Sequence, residues 1–260
     1  RRALSAGHAF GETAELGANA VIVPASKRAP GTYRSVDGNT ALAWGLIAAG
    51  VCAELPVFLG SYPITPASAI LHELARHPDA GVRTFQAEDE IAAITSAIGA
   101  AFGGDLAVTT TSGPGLALKA EALGLAVSLE LPLIVVDIQR GGPATGLPTK
   151  TEAADLMIAM YGRHGESPLP VISASRPGEC FEVAIEAARL ALKYRTPVIL
   201  LSDGYLANSS EPWRLPDVSE LPDISVAKTT EPNHERPDGG SDFWPYERDP
   251  DTLARPWAVP

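Results

Sequence analysis

The 260-residue sequence holds only two cysteines, Cys52 and Cys180, widely separated and in no C-x-x-C pair. Neither a zinc knuckle nor an iron–sulfur cluster can be built from this chain alone, and no metal ligand is assigned in it. Two lone cysteines suit reduced thiols in a cytoplasmic protein. No apolar run reaches the roughly 20 residues of a membrane span. Positive charge is scarce: 20 Lys and Arg stand against 31 Asp and Glu, a formal net charge of −11. That argues against nucleic acid or an anionic membrane as partner. Phosphate-loop patterns are missing, with no G-x-G-x-x-G and no G-K-[ST]. Neither a signal peptide nor an initiator Met opens the chain, so Arg1 reads as an internal start. Pro260 ends a loop-like stretch, and a piece of a longer polypeptide is expected. What is there is 45% hydrophobic and 20% charged, enough for one large globular domain or two small ones.

Short apolar runs rich in β-formers alternate with helical patterns. Residues 57–60, 82–85, 106–111, 133–138, 171–175 and 197–202 read as strands. Residues 38–54, 66–77, 90–102, 116–129, 151–160 and 178–194 read as helices, the first capped by Gly38, Asn39 and Thr40. Such alternation predicts an α/β fold: a doubly wound parallel sheet with right-handed crossovers and helices on both faces. This domain is expected over 38–210. Residues 1–37 read as a helix (3–16), a short apolar stretch (21–23) and a basic linker. In 211–260 prolines recur without a period, which predicts an extended arm; Trp213, Phe243, Trp244, Tyr246 and Trp257 predict that parts of it pack.

Four polar segments follow four of these strands: Tyr62-Pro63-Ile64-Thr65-Pro66, Glu88-Asp89-Glu90, Ser112-Gly113-Pro114-Gly115, and Arg140 through Gly141 and Gly142 to Thr149. In open α/β sheets ligands collect beyond the carboxyl ends of the strands, so the four are expected to form one site. Taken singly each has a plainer reading. Acidic residues in a first helical turn complement the helix dipole, Thr65 ahead of Pro66 can cap a helix, and Arg140 can close a strand. Lys119 and Glu121 read as solvated, as do His72 and His77. His164 sits in a polar connection, where a plain loop histidine is favoured over a residue near the site.

Together, Y-P-I-T-P, Q-A-E-D-E-I-A-A-I, T-T-S-G-P-G and R-G-G-P-A-T-G-L-P-T, in this order across residues 38–208, resemble the α subunit of 2-oxoacid:ferredoxin oxidoreductases, most closely the 2-oxoglutarate type. The resemblance implies thiamine diphosphate as cofactor and identifies 38–210 with its pyrimidine-binding domain. In this family 1–37 would follow a further N-terminal domain and 211–260 would lead to a further C-terminal one. It also implies the reaction: 2-oxoglutarate, coenzyme A and oxidised ferredoxin give succinyl-coenzyme A, carbon dioxide and reduced ferredoxin. Pyruvate or another 2-oxoacid is the alternative substrate, and a non-catalytic assembly module of the same fold is the alternative role.

The resemblance also implies roles. A Glu at the helix start, with Gly nine residues on, hydrogen-bonds N1′ of the aminopyrimidine and favours the tautomer that draws the proton from the thiazolium. Glu90, with Gly99, fits this; Glu88, with Ala97, remains the second choice. Desolvation in a strand–helix corner suits a carboxyl group that shares a proton. Tyr62, Pro63, Ile64, Ser112, Gly113, Pro114 and Gly115 would line the cofactor. Arg140 would hold the substrate carboxylate with its guanidinium fork. Thr65 would hydrogen-bond that carboxylate or the developing alkoxide, and Thr149 would help read the distal end. Thiamine enzymes bind the diphosphate through magnesium with G-D-G and a later Asn. Here Ser202 precedes Asp203-Gly204 and no spaced Asn follows, so the resemblance places Mg2+, the diphosphate site and a [4Fe-4S] cluster on a β subunit. A hetero-oligomer is expected.

Overall fold

The computed structural model describes residues 1–14 and 23–259. In chain order its main elements are α1 (Arg2–Thr13), β1 (Tyr33–Asp37), α2 (Gly38–Ala53), β2 (Val57–Ser61), α3 (Ser68–Leu74), β3 (Val82–Gln86), α4 (Glu90–Phe102), β4 (Leu106–Thr111), α5 (Gly113–Leu118), α6 (Ala120–Ser128), β5 (Leu133–Gln139), α7 (Leu156–Tyr161), β6 (Val171–Ser173), α8 (Cys180–Tyr194), β7 (Pro197–Asp203), α9 (Gly204–Asn208) and β8 (Ser210–Arg214). The last residues expected in the first helix, 15 and 16, and residues 21 and 22 of the apolar stretch lie outside the described residues.

Six strands form one parallel sheet in the order β3-β2-β4-β5-β7-β6. The near-continuous apolar runs follow from burial on both faces. On one face Val57, Leu59, Val108, Ile134, Val136, Val198 and Leu200 pack with the apolar residues of α2, α3 and α8. The alternate residues Phe58, Ala107, Leu133, Val135, Ile199 and Leu201 pack on the other face with α4 and α6. This is the α/β sheet with helices on both faces that the alternation predicts.

The chain divides between Thr32 and Tyr33 rather than after residue 37. The reason is long-range pairing: β1 is antiparallel to β8, with Tyr33 opposite Arg214 and Asp37 opposite Ser210. In the first unit, α1 is helical with no buried residue. In the second, α2 is capped not by the Gly38-Asn39-Thr40 run but by Asp37, whose carboxylate accepts the Thr40 N–H at 2.9 Å. The helix expected over 151–160 is confined to α7, and the one expected over 116–129 breaks at Lys119 into α5 and α6. Residues 215–259 pack in places: Ile224 and Trp257 are buried, whereas Trp244 and Tyr246 are exposed. None of the helices among the described residues is long and apolar enough to cross a membrane.

One glycine sets how closely α4 approaches the sheet. A Cβ on Gly60 would lie 2.4 Å from the Ala93 carbonyl oxygen and 2.5 Å from Ser96 Oγ. Gly60→Ala is therefore expected to lose about 1–3 kcal/mol of stability by overpacking, read as a lower urea midpoint. An unchanged midpoint would show that α4 can move away from β2 without cost.

Candidate active site

The four polar segments share one edge of the sheet because their strands are neighbours. β3, β2, β4 and β5 lie side by side and parallel, so the segments after them leave at one edge of the sheet. β2 and β4 form the switch point, with β3 on one side of the pair and β5 and β7 on the other, and a crevice is expected there. Their ladder ends at Leu59–Val108. Beyond it the buried hydroxyls of Ser61 and Thr110 meet at 2.7 Å.

After β3 the three acidic residues part company. Asp89 caps α4, its carboxylate accepting the Ala92 N–H at 2.7 Å. Glu88 is exposed, while Glu90, the first residue of α4, is half-buried. Glu90 lies against the turn after β4: a Cβ on Gly115 would fall 2.9 Å from Glu90 Cγ and 1.9 Å from Thr111 Oγ1. Only a glycine admits the Glu90 side chain here. Ser112, beside it, is buried with a hydroxyl that has no partner. Gly113 faces Asp155, whose Oδ1 would lie 2.6 Å from a Cβ there.

Lys119 is not solvated as its charge predicts. It is fully buried, and its ammonium donates to the Glu90 carbonyl oxygen at 2.9 Å and to Thr109 Oγ1 at 3.1 Å. Burial lowers its pKa to about 8, against the opposing pull of the Glu90 and Asp89 carboxylates. The sequence signal was position: Leu116, Lys119, Leu123 and Ala126 fall on one buried helical stripe, where a lysine should be asked for its partner.

After β2, Tyr62 is exposed and Ile64 packs against the core. The Thr65–Pro66 peptide is cis, and the buried Asn39 holds the turn by donating from Nδ2 to the Pro66 carbonyl oxygen at 3.0 Å. The Thr65 side chain does not cap α3, which starts later with Ala67 at its cap. Arg140 is buried at the end of β5. Its Nη1 donates to the Thr65 carbonyl oxygen at 2.7 Å and its Nη2 to that of Thr145. Arg140 thus ties the Y-P-I-T-P turn to the glycine loop; Nε has no partner, and further N–H donors of the fork remain. Thr65 and Thr149 line one cleft of about 440 Å3 with Ser68, Lys150, Thr151 and Asn208. Glu90 and the Ser112–Gly115 turn are not among its lining. His72 is exposed and His77 Nε2 donates to the Glu73 carboxylate at 3.3 Å, which leaves both in surface roles.

Behind the loop lies a buried acid pair that sequence reasoning missed. Asp137 in β5 is fully buried with no partner for either oxygen beyond the Asp155 carboxyl it faces. Burial first, then the neighbouring Asp155, raises its pKa well above the usual carboxylate range. Asp155 is raised too, chiefly by burial. Gln139 completes the join, accepting the Asp155 N–H at 2.9 Å and donating to the Ser202 carbonyl oxygen at 3.1 Å. Asp203, of the incomplete metal motif, caps α9 through the Tyr205 and Leu206 N–H groups.

An open parallel sheet with a carboxyl group and a glycine turn at its switch point defines a cofactor-binding α/β domain. The chain belongs to the family of thiamine diphosphate-binding domains of pyruvate flavodoxin/ferredoxin oxidoreductases, whose model matches residues 49–254. It is 58% identical over 260 residues to the 2-oxoglutarate oxidoreductase subunit KorA of Mycobacterium tuberculosis, covering 99% of this chain and 38% of the relative. To the 2-oxoglutarate synthase subunit KorA of Methanothermobacter marburgensis it is 42% identical over 187 residues, 72% of this chain and 48% of the relative. Among solved structures it is similar to the 2-oxoglutarate:ferredoxin oxidoreductase of Magnetococcus marinus with 2-oxoglutarate, coenzyme A and succinyl-CoA bound, at TM-score 0.80 and 38% identity, over 100% of this chain and 43% of that one. The chain thus spans less than half the length of each of these relatives.

The acid pair makes a pH-dependent prediction. A carboxyl group whose folded pKa is raised costs nothing below its unfolded value, about 4, and destabilises increasingly as pH rises above it. Asp137→Asn should therefore gain stability over the parent as pH goes from about 4 toward 7. Urea midpoints at stepped pH measure the gap; a gap independent of pH would mean that Asp137 carries no such proton.

Proposed function

We propose that this chain is the pyrimidine half of the α subunit of a thiamine diphosphate-dependent 2-oxoglutarate:ferredoxin oxidoreductase, active only with a β subunit. The observation that carries the reading is Glu90 at the first turn of α4, half-buried against a side-chain-free turn at Gly115. The residues fit an aminopyrimidine. Glu90 offers a carboxyl group, Gly115 makes room for its side chain against the turn, and the orphaned Ser112 hydroxyl is a spare polar contact. Tyr62, Pro63 and Ile64 are the other wall. Thiamine diphosphate, when bound, would supply a nucleophilic thiazolium carbon and the electron sink that decarboxylation of a 2-oxoacid needs.

In this chain Glu90 holds the proton at the ring's N1′, which fixes the tautomer. Arg140 and Thr65 orient the 2-oxoacid carboxylate, and Thr149 faces its distal end from the shared cleft. The substrate reading follows the names of the relatives. The products are then succinyl-coenzyme A and carbon dioxide, with electrons passing to ferredoxin. A β subunit supplies Mg2+, the diphosphate site and the [4Fe-4S] cluster. Two observations support a covering partner: Asp203 is engaged as a helix cap, and the apolar Phe85, Ile91 and Leu118 stand exposed on elements around Glu90. The working compartment is then the cytoplasm.

The test of Glu90 is deuterium exchange of the thiazolium proton in the assembled complex, followed by NMR after acid quench. Glu90→Gln should slow exchange by about 10²–10⁴-fold, with Glu88→Gln near normal. Normal exchange in Glu90→Gln with slow exchange in Glu88→Gln would transfer the role to Glu88, and normal exchange in both would remove it from this segment.

Arg140→Ala should raise the Michaelis constant for 2-oxoglutarate about ten- to hundredfold, the loss expected for a charge-assisted contact of about 1.5–3 kcal/mol. Cofactor binding should be nearly intact. An unchanged Michaelis constant would leave Arg140 as a tie between loops and nothing more.

A further inference from the structure

Lys119 is a buried cation that the reading above leaves without a task. It stands at the break between α5 and α6, and its backbone N–H donates to the Gly115 carbonyl oxygen at 3.0 Å. Its ammonium reaches the other way, to the Glu90 carbonyl oxygen at 2.9 Å and Thr109 Oγ1 at 3.1 Å. One residue therefore grips both sides of the contact between Glu90 and the glycine turn. The ionisable groups it faces are Glu90 and Asp89, both from α4; from β4 it meets the neutral Thr109. Asp89 also accepts the Ala92 N–H, and Glu90 is the other carboxylate near the buried charge.

We propose that Lys119 is the positioning residue of Glu90, fixing the first turn of α4 against Gly115 and supplying the interior positive charge that the Glu90 carboxylate faces. The inference rests on Glu90 being the group that engages the aminopyrimidine. Keeping the proton on a buried lysine opposes folding, and with its pKa lowered to about 8 from 10.5 the charge is present at neutral pH and lost above about 8. The sign follows from linkage. Between the folded and unfolded values the unfolded chain binds the extra proton, so the contribution of Lys119 to stability rises with pH across that window.

Two measurements test this. In the cofactor-free 260-residue chain, urea unfolding of the parent and of Lys119→Met is followed from pH 7 to 10. The Met variant should be the more stable at pH 7, and its advantage in folding constant should shrink by up to tenfold per pH unit above about 8. A gap that does not vary with pH would overturn the buried charge. In the assembled complex, thiazolium proton exchange should be at least tenfold slower in Lys119→Met and largely restored in Lys119→Arg. The parent rate relative to the Arg variant should fall above about pH 8, because guanidinium stays charged; a purely structural role would not produce that inflection. Glu90→Gln is run alongside. Normal exchange there sinks the role of Glu90, whereas slow exchange in Glu90→Gln with parent-like exchange in Lys119→Met sinks Lys119 alone. Should Lys119→Met not fold, Lys119→Arg decides: a ratio to the parent that is flat across pH 8 overturns the proposal.

Discussion

Everything at the site depends on how β2 and β4 part. Their ladder stops at Leu59–Val108, two residues short of the end of β2 and three short of the end of β4, and the hydroxyl pair Ser61–Thr110 carries the join to the edge. A fully laddered edge would leave no crevice, and an unpaired one would expose polar backbone. A single buried hydroxyl bond holds the strands together while releasing the chain on either side. From that edge the Y-P-I-T-P turn goes one way and the Ser112–Gly115 turn the other. The flanking β3 and β5 then bring Glu90 and Arg140 to the same rim.

Hydrogen bonds to backbone carbonyls, rather than ion pairs, hold the candidate site segments in place. Arg140 donates to the carbonyls of Thr65 and Thr145, Lys119 to that of Glu90, and Asn39 to that of Pro66. Each interior donor fixes the path of a loop without consuming the side chain that loop presents. The carboxyl of Glu90 and the hydroxyls of Thr65 and Thr149 are thereby left available. The acid pair of Asp137 and Asp155 works likewise from behind, joining β5 to the segment ahead of α7.

Much of this was legible in the sequence, for local reasons. α4 reads correctly because Asp89 caps it and Ile94 and Ile98 recur at helical spacing; β4 and β5 read correctly because burial on both faces forces unbroken apolar runs. That the four segments leave at one edge of the sheet followed from one rule about strand ends. What was hidden is non-local. The pairing of β1 with β8 joins residues some 180 positions apart in the chain, and nothing in Tyr33–Asp37 announces it. Lys119 looked solvated because charge outweighed its place on an apolar stripe. The approach of Asp137, in β5, to Asp155, ahead of α7, is a meeting of two distant elements in space. Arg140 read as a ligand fork, yet two of its donors hold backbone, a use that residue type alone cannot reveal.

The pairing of β1 with β8 has a mechanical consequence. Tyr33 and Arg214, at the outer ends of the two strands, sit opposite each other. Tension applied between those two residues acts across the ladder, on one rung at a time, beginning at Tyr33–Arg214. The six-stranded sheet is then spared shear until the small ribbon has opened. The aromatic contact of Trp213 with Trp44 and Phe181 lies one rung in and would be the first interior contact to feel it. The ribbon is thus the mechanical fuse of the domain, and its inner rung, Asp37–Ser210, lies two residues from Asn39, which holds the Y-P-I-T-P turn.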